Sequence, residues 1–138
     1  MYNKMKKGFT LVEIMLVVII IGALSAMIIP RLAGRGDQAK IKIAKSDIDA
    51  NIPTALKLYE LDNGSFPTTA QGLDALRVKP ITNPIPQGWN GPYLEKLPVD
   101  PWGRSYVYSS PGQHRSDYDL SSKGKDETSD KDDIVNWQ

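Results

Sequence analysis

Apolar residues are concentrated near the start of the chain. From Phe9 to Pro30 only Glu13 carries a charge. As a helix rising about 1.5 Å per residue, this stretch reaches ~33 Å, enough to cross a bilayer core. Beyond Pro30 the pattern becomes periodic. Ile41, Ala44, Ile48, Ile52, Ala55 and Tyr59 recur three and four residues apart, which predicts one apolar helix face. Lys40, Lys42, Lys45, Asp47, Asp49 and Lys57 fall largely off that face. The pattern predicts one long helix over about 9–61, bent near Pro30 where an N–H is missing, with Pro53 as a second interruption. Asp62-Asn63-Gly64 is its stop signal.

From Gly64 to Gly112 the chain is rich in glycine and proline. A short helix fits within Thr68–Val78, around Gln71–Leu76, and Pro80–Pro92 reads as irregular loop. Aromatic and β-branched residues make Tyr93–Leu94, Ser105–Ser109 and Tyr118–Ser121 the strand candidates. Three short strands form a small antiparallel sheet that must pack on the amphipathic half of the helix, so the predicted class is α+β. The predicted organisation is a leader over 1–8, a membrane or assembly helix over 9–30 and a soluble domain over 31–138. In that domain the helix runs to about 61, the loop region is 62–92, and the sheet with its acidic loop is 93–138.

Charge adds direction to this plan. The net charge is only +1, but Lys4, Lys6 and Lys7 open the chain. From Asp117 onward seven acidic residues stand against three lysines. A basic start and an acidic end do not describe a nucleic-acid binder, which needs a clustered basic surface. The lysines before the apolar stretch predict a cytoplasmic N-terminus, with the remaining domain outside the inner membrane. Cysteine is absent, which excludes disulfides and thiol chemistry. The single histidine, His114, has no catalytic signature around it and reads as a solvated loop residue.

Glu13 separates the readings of the apolar stretch. A secretory signal would be cut after it, near Ala23-Leu24-Ser25. Neither an expendable signal nor a plain anchor has a use for a carboxylate that costs a few kcal/mol in lipid. A cut after Gly8 would leave an α-amino group on Phe9, a cation able to pair with Glu13 of a neighbouring copy and offset both desolvation costs.

Lys6-Lys7-Gly8-Phe9-Thr10-Leu11-Val12-Glu13 resembles the prepilin-type signal of type IV pilins and type II secretion pseudopilins. The resemblance implies that a prepilin peptidase cuts between Gly8 and Phe9 and methylates the new amine. Leu61-Asp62-Asn63-Gly64-Ser65-Phe66-Pro67-Thr68-Thr69, then Gln71-Gly72-Leu73, narrows it to the major pseudopilins of type II secretion. So do Gly91-Pro92-Tyr93-Leu94, Pro98-x-Asp100-Pro101-Trp102-Gly103, Tyr118-Asp119-Leu120-Ser121-Ser122 and Asp133-Ile134-x-Asn136-Trp137. Taken singly, these are turns, with Trp102 and Trp137 as core fillers; their order along the chain carries the resemblance.

Asp126–Asp133 holds five carboxylates and two hydroxyls in eight residues, a donor set suited to Ca²⁺. The alternation of Asp126, Thr128, Asp130 and Asp132 starts like an EF-hand and then fails, with Lys131 where glycine is required. On residues alone, a solvated acidic loop is the plain alternative. The resemblance implies one structural calcium ion. Asp126 and Asp133 lead its ligand set, with the backbone carbonyl of Lys123 and the side chains of Ser129, Asp130 or Asp132 as further candidates. It also implies a homopolymer stacked through the N-terminal helix into a periplasmic pseudopilus. Minor pseudopilins and an inner-membrane assembly platform are the implied partners, and export of folded proteins the implied purpose. A type IV pilin for adhesion, motility or DNA uptake is the nearest rival; such pilins often carry a C-terminal disulfide loop, for which this chain has no cysteine. A membrane-anchored metal-dependent enzyme is the rival of another class, and the chain shows no nucleophile–base arrangement for it.

Overall fold

The computed structural model describes residues 8–138, apart from the side chains of residues 29–33. The basic leader residues Lys4, Lys6 and Lys7 lie outside the described residues. Two compact units are distinguished, one ending at Asp37 and the other Gln38–Gln138.

The first unit is helical. Helix α1 spans Leu11–Ser46. Thr10 starts it: its Oγ1 accepts from the Glu13 backbone N–H at 3.2 Å, and its carbonyl accepts from the same N–H at 3.1 Å. That is the first half of a capping box, Thr-x-x-Glu. Leu11–Ile28 is long and apolar enough to cross a membrane, and none of it is buried within the chain. The backbone stays helical through position 30.

In the second unit, a π turn at Asp47–Asn51 separates α1 from helix α2, Ile52–Asn63. The turn has two causes in the sequence. Pro53 brings no N–H, and its ring crowds the carbonyl four residues back. The apolar face also advances by fours, Ala44 to Ile48 to Ile52, and each such step overshoots an α-helical turn by about 40°. A wider turn, closed by the Ile52 N–H on the Asp47 carbonyl, takes up the overshoot. Asp47 is held there by Asn51 Nδ2 at 2.7 Å and by the Tyr106 hydroxyl at 2.8 Å. Ala44, Ile48, Ile52, Ala55, Leu56 and Tyr59 are buried, whereas Ile41 is exposed. Helix α2 ends as its sequence predicts: Gly64 takes φ +80° and its N–H donates to the Glu60 carbonyl at 2.7 Å.

Strands β1 (Val107–Ser109), β2 (Asp119–Ser122) and β3 (Ile134–Val135) form an antiparallel sheet in the order β1-β2-β3. The α+β expectation holds, with one strand reassigned. Tyr93–Leu94 is not a strand; the N–H groups of Tyr93 and Leu94 both donate to the Leu76 carbonyl, at 2.7 and 3.1 Å. The third strand is Ile134–Val135, pairing Val135 with Ser121 and Ile134 with Ser122. Ser105 makes only an isolated bridge to Val99. The short helix is a 3-10 turn, Leu73–Leu76. The core joins Ile48, Ile52, Leu56 and Tyr59 to Leu73, Leu76, Tyr106, Tyr108, Tyr118 and Leu120. Phe66 closes its edge with a T-shaped contact on Tyr118, centroids 5.0 Å apart.

The expectation of tryptophan core fillers needs correction. Trp137 is not a core residue: its ring stacks on His114 at 4.1 Å, the planes 1° apart. His114 is an exposed loop residue as expected, and its Nδ1 also lies 2.9 Å from Asp119 Oδ2. Trp102 is only partly buried and lies outside the core cluster.

Candidate functional site

The N-terminal candidates are Gly8, Phe9 and Glu13. Gly8 and Phe9 precede the helix and are exposed. Among the described residues, a Cβ built on Gly8 meets nothing within 4 Å, so packing against them does not require glycine there. Glu13 is the third residue of α1. Its backbone serves the Thr10 cap, while its carboxylate makes no hydrogen bond or ion pair among the described residues. The cap was legible as Thr-x-x-Glu, a signal hidden behind the larger motif that contains it.

At the other end, Gly124 turns the chain after β2 at φ +64°, and a side chain there would run into the Asp132 carbonyl. The turn brings Lys123 onto two of the candidate ligands: its Nζ lies 3.0 Å from Asp133 Oδ2 and 3.6 Å from Asp130 Oδ1. Asp133 pairing raises the Lys123 ammonium above its ordinary pKa. Asp132 Oδ2 accepts from the Asp126 N–H at 2.9 Å. Asp126 Oδ1 in turn accepts from Thr128, at 2.9 Å from N–H and 2.7 Å from hydroxyl, which holds its carboxyl below the usual range. Ser129 is used locally, accepting from the Lys131 N–H at 3.3 Å.

Among the described residues, no three carboxylate or imidazole groups converge as a metal cage. A cation site here must therefore draw on carbonyl and hydroxyl oxygens, which Ca²⁺ accepts. One carboxylate oxygen is left over to join them. Asp133 Oδ1 is buried and has no hydrogen-bond partner, an anionic oxygen lacking the donor that burial demands. The loop thus offers one buried oxygen without a partner, on Asp133, with Asp130 held near the same carboxylate by Lys123, oxygen donors of the kind calcium takes.

A second cation, missed in the sequence, ties this loop to the fold. Arg104 donates from one terminal nitrogen to the Gly124 carbonyl and pairs through the other with Glu127 Oε1 at 3.0 Å. Its backbone N–H donates to Asp100 Oδ1 at 2.9 Å. Asp100 is buried and also accepts from the Trp102 N–H at 3.0 Å and the Ser122 hydroxyl at 2.8 Å. The Asp100-Pro101-Trp102-Gly103 turn is therefore the floor of the acidic loop. Its link to position 124 spans twenty residues, and no local pattern reports it.

Asp119 anchors the start of β2. Its carboxylate accepts from the N–H groups of Gln113, His114 and Arg115 at 2.8, 3.0 and 3.0 Å. Burial alone pushes its carboxyl up, but these donors and the His114 ring outweigh burial and hold it at about 2, below the ordinary 3.8. The depressed value fixes the sign of the linkage. Asp119 contributes stability that is complete above the unfolded-state value and is lost as pH falls through about 2. In thermal melts, the Tm gap between wild type and Asp119→Asn should narrow between about pH 5 and 2. A gap that stays constant over that window would contradict this assignment.

The comparisons with known proteins agree with both ends of the chain. A family model described as the prokaryotic N-terminal methylation motif matches residues 3–29, which defines the class: proteins that open with this motif and an apolar helix. A second model, type II secretion system protein G, matches residues 31–137, and the chain belongs to this family of structural pseudopilus subunits. The type II secretion system core protein G of Pseudomonas aeruginosa is 50% identical over 141 residues, covering 99% of this chain and 99% of the relative. The core protein G of Escherichia coli K12 is 46% identical over 134 residues, covering 96% and 91%. The crystal structure of the major pseudopilin from the type 2 secretion system of enterohaemorrhagic Escherichia coli matches with a TM-score of 0.68 at 40% identity. That match covers 77% of this chain and 89% of that one.

Proposed function

We propose that this chain is the major subunit of a type II secretion pseudopilus, cut between Gly8 and Phe9 by a prepilin peptidase and methylated on Phe9. The observation that carries the reading is the succession of the methylation motif over residues 3–29 and the protein G family over 31–137 in one chain. The glycine at position 8 supports it, because among the described residues no packing calls for glycine there, whereas recognition by a processing enzyme would. Before assembly, Leu11–Ile28 crosses the inner membrane once, with the N-terminus cytoplasmic and the folded domain periplasmic. Copies then polymerise through α1 on an inner-membrane assembly platform, with minor pseudopilins in the same filament, and the filament drives export of folded proteins across the outer membrane. The chain's own role is structural, not enzymatic. Mass spectrometry of the chain from cells should find an N-terminus at methylated Phe9. A mature end in the Ala23–Ala26 region would overturn the processing step.

The same reading gives the C-terminal loop one structural calcium ion. Asp126 and Asp133 are its leading ligands, with the Lys123 carbonyl and Ser129, Asp130 or Asp132 completing the set. The ion would draw repelling carboxylates onto a small sheet and stabilise the fold that binds it. A calcium chelator should then lower the Tm of the full chain in detergent, and re-addition of calcium should restore it. An unchanged Tm at saturating chelator speaks against the ion.

A further inference from the structure

Lys123 stands in two relations to the acidic loop. Its carbonyl is a candidate ligand for the ion, yet its ammonium sits against Asp133 Oδ2 at 3.0 Å and Asp130 Oδ1 at 3.6 Å. A divalent ion entering at the open oxygen, Asp133 Oδ1, meets a cation already held by the other oxygen of the same carboxylate.

We propose that Lys123 is an exchangeable internal counter-ion: its ammonium closes the loop on Asp133 and Asp130 without metal and swings out to solvent when calcium binds. The calcium affinity of the loop is then set by competition between a residue of the chain and the ion. This rests on the calcium reading above.

Exposure favours the exchange over the alternative of moving the carboxylate. The Lys123 side chain is 43% exposed and that of Asp133 only 13%. A lysine can turn its head into water while its stem stays in place, whereas the shorter Asp133 side chain is mostly buried just before β3. An ammonium and a divalent ion sharing one carboxylate repel at short range, and this repulsion is weakly screened near a protein surface. Arg104, a second cation seen on the loop, is unsuited to exchange. It is tied to the Gly124 carbonyl and Glu127, and it is less exposed, at 24%. One cation therefore holds the loop to the fold in both states, and the other yields its place.

The test is calorimetric titration of calcium into the full chain in detergent micelles, comparing wild type with Lys123→Met and Lys123→Arg. Lys123→Met should bind about tenfold more tightly, while Lys123→Arg, which keeps the charge, stays within about twofold of wild type. In chelator, Lys123→Met should melt below wild type, because its carboxylates then lack a counter-ion; in saturating calcium the two melts should converge. Equal affinities for wild type and Lys123→Met would overturn the exchange and leave the calcium reading standing. Absence of binding by wild type and Lys123→Met alike would remove the calcium reading and the exchange with it. Lys123→Gln, smaller and polar, gives the same comparison should the Met variant fold poorly.

Discussion

Asp100→Ala lowers the stability of the folded domain by about 3–4 kcal/mol, the largest loss expected of a single polar residue here. The reason lies in how many groups share this one buried carboxylate. Its Oδ1 accepts from the N–H groups of Trp102 and Arg104, at 3.0 and 2.9 Å, and its Oδ2 accepts from the Ser122 hydroxyl at 2.8 Å. Alanine removes the acceptor from all three donors at once, and each unsatisfied buried donor costs about 1–3 kcal/mol. Truncation also leaves the Arg104 guanidinium, whose Nε lies 3.8 Å from Asp100 Oδ2, without its nearest buried anion. For a domain of this size a loss of that order lowers Tm by more than about 10 °C. Asp100→Asn should fall between alanine and wild type. Its amide oxygen still serves the two backbone donors, and its NH₂ can donate to the Ser122 hydroxyl. Circular-dichroism melts of the three proteins give the ordering. A Tm for Asp100→Ala within a few degrees of wild type would show that the turn is satisfied by water and that the loop does not depend on it.

What the sequence revealed and what it hid divide by the range of the interaction. The end of α2 was legible because Asn63-Gly64 acts within one turn: glycine takes φ +80° and closes the helix on Glu60. The buried helix face was legible because Ala44, Ile48, Ile52, Ala55 and Tyr59 repeat at helical spacing, and only Ile41 at its margin failed. Strand β3 was not legible. Ile134 and Val135 are too few to alternate, and they become a strand by pairing with Ser122 and Ser121. Asn136 then continues the edge, its Oδ1 taking the Leu120 N–H at 2.9 Å and its Nδ2 reaching the Tyr118 carbonyl at 3.2 Å. Tyr93–Leu94 had the composition of a strand, but its N–H groups found a single carbonyl, Leu76, rather than a ladder. In the acidic loop the oxygen donors were plain from composition. Their counter-ions were not, because Lys123 and Arg104 reach them only through the turn at Gly124 and the buried carboxylate of Asp100.

Glu13→Ala abolishes filament assembly while leaving the monomer processed, inserted and folded. Within the chain the Glu13 carboxylate has no partner among the described residues, and the cap on α1 uses the Glu13 backbone, which alanine keeps. Glu13 lies in the first turn of α1, where its charge favours the helix dipole by only about 0.3–1 kcal/mol. Among the described residues the isolated subunit therefore loses little by the change. The cost falls on the assembled state. On the proposed cut after Gly8, the Phe9 amine would be a cation removed from water between packed copies of the apolar helix, and removing one partner of a buried pair costs about 3–5 kcal/mol. At 1.4 kcal/mol per tenfold, each subunit contact weakens by about 10²–10³-fold, enough to end polymerisation at ordinary concentrations. Glu13→Asp keeps the charge on a shorter arm and should restore part of the filament, whereas Glu13→Gln, which keeps shape without charge, should not. The measurement is filament yield sheared from cells, beside mass spectrometry of the mature N-terminus and the Tm of the monomer in detergent. Filaments of normal yield from Glu13→Ala would leave the cut after Gly8 intact but remove the ion pair from the account of assembly. A fall in the monomer's Tm would instead return the carboxylate to a role inside its own chain.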